Sequence, residues 1–119
     1  MNVNAIAFIW CVTPSFVRYS HPITIPKIYH DKLRETKLYK ETYIIVYPKG
    51  ETRTAKMYPY QKNHREYYKL TVPKRDNFEK LPDYLQEKDE IFVILIRYFG
   101  VSYAILEYIK KPKTRYKNR

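Results

Sequence analysis

The chain has 119 residues, of which 45% are hydrophobic, and its 23 Lys and Arg exceed its 12 Asp and Glu to give a net charge of +11. The apolar content excludes wholesale disorder, and a single cysteine with two glycines excludes an intramolecular disulfide, a cysteine-based zinc site and a glycine-rich phosphate loop. The positive charge favours a polyanionic partner such as nucleic acid or an anionic surface, with a merely solvated basic surface as the alternative.

The first predicted element is the apolar run at residues 5–12 (AIAFIWCV), whose β-branched and aromatic residues favour a buried strand. The run is too short to span a bilayer, and it lacks the basic residue before it and the cleavage pattern behind it that a signal peptide has. Cys11 lies in this run, so we expect a packed and inert thiol. A lone cysteine is typical of reducing compartments, which favours a cytoplasmic protein.

A repeat with an offset of 47 residues organises the rest of the chain. Residues 23–27 read ITIPK and residues 70–74 read LTVPK, and residues 23–48 share 6 identities in 26 pairs with the second copy. Ile44 falls opposite Ile91 in this alignment. Repetition of one motif together with the strand that follows it indicates two similar structural units.

Each copy predicts the same order of elements, and the 14 tyrosines with many isoleucines and valines favour strands. The apolar run at residues 91–96 (IFVILI) is predicted to be a strand buried on both faces, at the centre of a shared core. The segment at residues 58–64 contains Pro, Asn and charges, which predicts an irregular junction. In chain order, the other predictions are short helices at residues 28–36 and 75–81, strands at 43–47, 52–58 and 101–109, turns at 48–50 and 99–100, and a mobile basic tail at 110–119.

The repeated T-[IV]-P-K motif resembles the first strand of the AbrB/MazE/SpoVT superfamily of transcription regulators. Members carry Leu seven residues after the proline, as Leu33 follows Pro26, while Leu81 follows Pro73 one residue late. The resemblance covers roughly residues 17–112. It implies a mainly β fold with short helices, namely a swapped-hairpin β-barrel formed here as an intramolecular pseudo-dimer.

The resemblance implies that the chain is divided into three parts. Residues 1–60 and 61–109 are expected to be two AbrB-like β units that share one core, and residues 110–119 are expected to be a flexible basic tail. The two units together make either a monomer with an internal pseudo-two-fold axis or a homodimer. The usage of Ile, Lys and Tyr resembles that of archaeal and archaeal-viral proteins.

The resemblance and the charge together imply a sequence-preferring duplex DNA-binding protein, a nucleoid-associated transcription regulator. The alternative is an antitoxin-like or inhibitor-like protein-interaction module, because His30 and Asn77 stand where the family commonly has Arg. Single-stranded nucleic-acid binding is a third hypothesis, and it requires exposed aromatic side chains. The predicted DNA-binding residues are Lys27, Arg34, Lys62, Arg65, Lys69, Lys74, Arg75, Lys110, Lys111, Lys113 and Arg115.

No pattern in the sequence points to an enzyme, a cofactor or a membrane anchor. The three histidines, His21, His30 and His64, have no metal-ligand spacing, and no glycine flanks a serine as in a nucleophile elbow. We therefore expect neither catalytic residues nor a metal site.

Overall fold

Seven strands in one sheet, curled into a half-barrel, dominate the structure, a computed structural model that describes residues 4–38, 42–73 and 80–109. The sheet with its short helices confirms the mainly β expectation. The strands are β1 (Asn4–Cys11), β2 (Ile23–Thr24), β3 (Thr42–Val46), β4 (Thr52–Lys62), β5 (Arg65–Thr71), β6 (Glu90–Tyr98) and β7 (Val101–Tyr108). The helices are α1 (Pro14–Arg18) and α2 (His30–Thr36), and α2 follows a single 3-10 turn (Lys27–Tyr29).

The order of the strands in the sheet is β1-β6-β7-β3-β4-β5-β2. Hairpin β3–β4 of the first repeat and hairpin β6–β7 of the second are joined by the parallel pair β3 and β7, and every other pairing is antiparallel. The two edge strands, β1 and β2, are consecutive in the chain. Residues 12–22, which include α1, therefore connect one edge of the half-barrel to the other.

One hydrophobic core lies on the concave face of the sheet and draws on both repeats. Alternate residues of β6, Ile91, Val93 and Leu95, are fully buried, whereas Phe92 between them is 39% exposed. The expectation that residues 91–96 are buried on both faces is therefore wrong. A mostly antiparallel sheet can leave one face to solvent, and here the strand at the middle of the sheet is β3 rather than β6.

The first strand also has one buried and one open face. Ile6 and Phe8 are buried, whereas Ile9 is 60% exposed and Cys11 is exposed. The prediction of a packed Cys11 thiol is therefore wrong, because its position in the alternation of an edge strand turns it to the outer face, opposite the core.

The residues that precede the two T-x-P-K motifs pair in the sheet. Ile23 pairs with Leu70, its counterpart in the repeat, and the two strands run antiparallel there. Farther along, however, Ile44 is 36% exposed on the outer face whereas Ile91 is fully buried. The alignment of Ile44 with Ile91 is therefore wrong in the fold, because a shift of one residue along a strand reverses the face of every side chain.

The predicted junction at residues 58–64 is instead part of a hairpin, because β4 continues to Lys62 and β5 begins at Arg65. Pro59 stands in this strand opposite Tyr68, although proline cannot donate to a strand ladder.

The helix predicted after the first motif is confirmed by the 3-10 turn and α2. Of the second predicted helix, residues 75–79 lie outside the described residues, and Lys80 and Leu81 are not helical. The sequence reading missed α1, although Thr13 caps it by accepting a hydrogen bond from the Phe16 amide (3.1 Å).

An irregular segment, residues 80–89, ties the second repeat to the first. The Tyr84 hydroxyl donates to a Glu51 carboxylate oxygen (2.6 Å) and accepts from the Lys49 amide (3.0 Å). The Lys49 ammonium also lies 4.5 Å from the centre of the Tyr84 ring. These contacts hold the β3–β4 turn, in which Gly50 adopts a φ of 101° that favours glycine.

Candidate nucleic-acid interface

The distal part of the β4–β5 hairpin is a two-stranded ribbon, residues 58–69. Within the described residues, β3 pairs with β4 as far as Lys56, and β2 pairs with Lys69 and Leu70 of β5 on the other side. Seven consecutive cross-strand pairs, from Lys56–Thr71 to Lys62–Arg65, keep β4 and β5 in register. No described strand pairs with β5 between Lys69 and the tip, so the hairpin extends beyond β2 on that side.

Alternation along the two strands gives the outer face of the ribbon a basic and aromatic surface. Lys62 is opposite Arg65, Tyr60 is opposite Tyr67, and Tyr58 is opposite Lys69. The only carboxylate of the ribbon, on Glu66, falls on the other face by the same alternation. The side chains that form the outer face of the ribbon are Tyr58, Tyr60, Lys62, Arg65, Tyr67 and Lys69.

Two tyrosines of this face stack on each other, and one of them also contacts a lysine. The rings of Tyr60 and Tyr67 stack with centres 5.4 Å apart, and the Lys69 ammonium lies 5.3 Å from the centre of the Tyr60 ring. Both rings are half-buried, whereas Tyr58 is 42% exposed. Cross-strand aromatic pairs stabilise a hairpin, so the basic side chains are presented by a rigid support.

The tip of the ribbon is a two-residue turn in a strained conformation. Asn63 and His64 have φ values of 53° and 64°, which are typical of the type I′ turn that joins tightly paired strands. Asn tolerates this region, whereas His64 adopts it at a steric cost that Gly would avoid. Both side chains are exposed between Lys62 and Arg65.

The inner face of the ribbon packs against α2. Tyr68 is buried there, and its hydroxyl accepts a hydrogen bond from Arg34 Nη1 (3.1 Å). Arg34 also forms ion pairs with Asp31 and, at 3.5 Å, with Glu66. The hydrogen bond to Tyr68 is the main cause that raises the pKa of Arg34. The helix therefore braces the ribbon through its inner face and leaves the outer face open.

The structure brings together three of the predicted DNA-binding residues, Lys62, Arg65 and Lys69. Lys27 is exposed at the start of the 3-10 turn, and Arg34 lies on the inner face with the partners given above. Sequence reasoning missed Tyr58 and the tip residues, because it placed residues 58–64 in an irregular junction. The remaining predicted residues, Lys74, Arg75, Lys110, Lys111, Lys113 and Arg115, lie outside the described residues.

Two of the three histidines are structural. His30 Nε2 donates to the Ile25 carbonyl oxygen (3.1 Å), so this side chain is directed into the fold. His21 is buried, stacks on Phe16 with ring centres 4.1 Å apart, and shares a hydrogen bond of 2.7 Å with the Tyr47 hydroxyl. Burial, with a smaller contribution from the charge of Arg53, lowers the pKa of His21 to about 4.

Among the residues that the structure describes, no group of three His, Cys, Asp or Glu side chains is placed to hold a metal ion. Within the same ranges, no helix is both long and apolar enough to cross a membrane. Comparison with protein-family models and with curated proteins finds no match to this sequence.

Proposed function

We propose that the protein binds duplex DNA through the outer face of the ribbon and acts as a transcription regulator. The observation that carries this proposal is the clustering of Lys62, Arg65 and Lys69 on one face that has no carboxylate. Phosphate contacts from such side chains supply nearly all of the non-specific affinity of a DNA-binding protein and a large share of its specific affinity.

The shape of the ribbon suits the major groove. That groove is about 12 Å wide and admits a two-stranded β-ribbon, whose strands are about 4.8 Å apart. Lys62 and Arg65 flank the tip, where they can reach phosphates, and an arginine can also bind the guanine edge through two hydrogen bonds. Asn63 and His64 add polar side chains between them, so the tip carries both positioning and reading groups.

As part of this proposal, we infer that the detailed fold is that of the AbrB-like family. The antiparallel pairing of Ile23 with Leu70 supports a local two-fold relationship between the two motifs. In this view the swapped-hairpin arrangement is built within one chain. Fusion makes the pairing of the two units intramolecular, so it does not depend on protein concentration.

A protein-interaction module is the second candidate, and a different surface favours it. Ile9 and Phe92 are cross-strand partners on the outer face of β1 and β6, with exposures of 60% and 39%. A contact with another protein, or with a second copy of the chain, would cover this apolar pair.

The salt dependence of DNA binding tests the proposal. Affinity for a duplex should fall linearly on a log–log plot with salt, by about 0.9 for each phosphate contact. Replacing two cations in the double variant Lys62→Gln/Arg65→Gln should therefore flatten the slope by about 2. The matched control is Lys88→Asn, because Lys88 lies before β6, at the opposite end of the sheet from the tip.

The outcomes of this experiment separate the two candidates. A flatter slope for the double variant together with an unchanged control supports the ribbon. If the double variant binds as the wild type does while removal of residues 110–119 abolishes binding, the folded domain is not the DNA-binding element, and the interaction module replaces the proposal.

A further inference from the structure

A cavity of about 450 Å³ opens between the two edges of the half-barrel, beside the ribbon. Trp10 of β1 lines one side, and Thr24 of β2 lies at the other edge of the sheet. The cavity is within the range of about 300–1,000 Å³ that holds small ligands. The described side chains that line it are Trp10, Thr13, Ser15, Tyr19, Ser20, Pro22, Thr24, Lys69 and Thr71.

The lining combines three kinds of group. Trp10 and Tyr19 supply aromatic surface, Lys69 supplies one positive charge, and the serines and threonines supply hydroxyls. No carboxylate belongs to the described lining. The ligand expected for such a set has a planar ring for stacking, a negative charge and several hydrogen-bonding groups, because each lining group then has a partner.

The walls of the cavity are fixed by hydrogen bonds to the backbone and by aromatic packing. Thr71 Oγ1 donates to the Ser20 carbonyl oxygen (3.0 Å), and the Val72 amide donates to the same oxygen (3.0 Å). Trp10 packs edge-on against the buried Phe16, with ring centres 5.6 Å apart. The cavity is therefore formed by elements that the core holds in place, not by a loose surface loop.

We propose that this cavity binds a single nucleotide, with its base against Trp10 and its phosphate near Lys69. The proposal rests on the proposed function, because Lys69 belongs both to the outer face of the ribbon and to the wall of the cavity. A strand held by the ribbon thus passes next to a site for one unpaired nucleotide. A free mononucleotide has the same chemistry and is the other source of the ligand.

Trp10 is the only tryptophan of the chain, so its fluorescence reports on the cavity directly. The probes are thymidine and adenosine monophosphates, with inorganic phosphate as the control, and two duplexes of one sequence, blunt or with a one-nucleotide overhang. We expect saturable quenching by the mononucleotides and no quenching by inorganic phosphate. Quenching by the overhang duplex at lower concentration than the blunt duplex identifies a strand nucleotide as the source, whereas quenching by mononucleotides alone identifies a free one.

A cavity-filling variant tests the location. Thr24→Phe places a large side chain in the cavity and should weaken the quenching by about tenfold, the loss expected when one base–aromatic stack is prevented. Thr54→Phe is the matched control, because Thr54 is also an exposed strand threonine but lies outside the lining. Thermal melting of both variants verifies that they fold.

Three results overturn the cavity proposal. They are unchanged Trp10 emission with every nucleotide probe, equal quenching by inorganic phosphate, and equal weakening by Thr24→Phe and Thr54→Phe in folded protein. The ribbon is tested separately, because Lys62→Gln/Arg65→Gln should reduce duplex affinity and leave quenching by mononucleotides unchanged. If nucleotides do not quench Trp10 while duplex binding still depends on the ribbon, only the cavity proposal is rejected. If the ribbon substitutions leave duplex affinity unchanged, the proposed function is rejected.

Discussion

Ile23 and Leu70, which hold equivalent positions in the two sequence repeats, lie directly opposite each other in β2 and β5. Both side chains are fully buried, and Leu70 also pairs with Met57 of β4 on its other side. The short strand β2 is thereby anchored to the ribbon at the base of the proposed DNA-binding surface.

This pair should be energetically coupled. Ile23→Ala and Leu70→Ala should each lower the free energy of unfolding by about 2–5 kcal/mol, because each leaves a cavity in the core. The double variant should lose less than the sum, by about 0.5–3 kcal/mol, because the two side chains are in contact. Urea unfolding measures these values, and additive losses would show that the pairing carries no coupling.

The control for this cycle is on the outer face. Ile9 and Phe92 are also cross-strand partners, but they are exposed. Ile9→Ala should therefore change the free energy of unfolding of the monomer by less than about 1 kcal/mol. A larger loss would indicate that a second copy covers this face.

Stability should not depend on protein concentration, because both repeats contribute to one core within a single chain. The melting temperature should therefore stay constant when the concentration is varied over two or more decades. A melting temperature that climbs steadily with concentration would place the pairing of units between chains rather than within one.

Much of this fold could be predicted from the alternation of apolar and polar residues. The buried face of β6 could not be predicted, because residues 91–96 read as a continuous apolar run in which an open and a buried face look the same. For Phe92 the deciding fact is its position on the outer face of β6, where it is 39% exposed, and no local pattern records which face of a strand meets the core. The ribbon was hidden by Pro59, because proline cannot donate to a strand ladder and usually argues against a strand.

Part of the candidate site could also be predicted from the sequence. Lys62, Arg65 and Lys69 were expected to contact DNA, and the hairpin brings them to one face. Arg34 was grouped with them, but helix α2 directs it to the inner face, where Tyr68 and Glu66 are its partners. The face that a helix presents depends on tertiary packing, which the spacing of residues in this short helix does not fix.

Acid should destabilise the protein through His21. The unfolded chain takes up a proton near pH 6.5, whereas the folded protein takes it up only near pH 4, because burial lowers the pKa of His21 to about 4. The unfolded state therefore binds more protons between these values, and stability present above pH 6.5 is lost as the pH falls towards 4. The loss should reach about 3 kcal/mol.

The variant His21→Asn tests this assignment, because Asn also tolerates the positive φ of 52° at this position. Its free energy of unfolding should be lower than that of the wild type at neutral pH, and its decrease from pH 6.5 to 4 should be smaller. An identical pH dependence in the two proteins would show that His21 does not cause the acid sensitivity.

The strained tip of the ribbon predicts a conflict between stability and binding. His64→Gly should raise the free energy of unfolding by about 0.5–1 kcal/mol, because glycine adopts the left-handed conformation without a steric cost. The same change should weaken duplex binding, because the tip loses a polar side chain. Chemical denaturation and DNA titration of one preparation measure both effects.

The turn between β6 and β7 provides the control for this prediction. Phe99 has a φ of 49° and is 77% exposed, so Phe99→Asn should also stabilise the protein. Because this turn is not part of the ribbon, DNA affinity should be unchanged. If both substitutions affect DNA binding equally, the tip has no special role.

The central claim is that duplex DNA lies on the outer face of the ribbon, and an amide chemical-shift map of the protein titrated with duplex DNA tests it most directly. The account predicts that the largest shifts fall within residues 58–69 and peak at Asn63 and His64. Lys88 and its neighbours, at the opposite end of the sheet, should be unaffected. Shifts confined to residues 110–119, or centred on Ile9 and Phe92, would contradict the account.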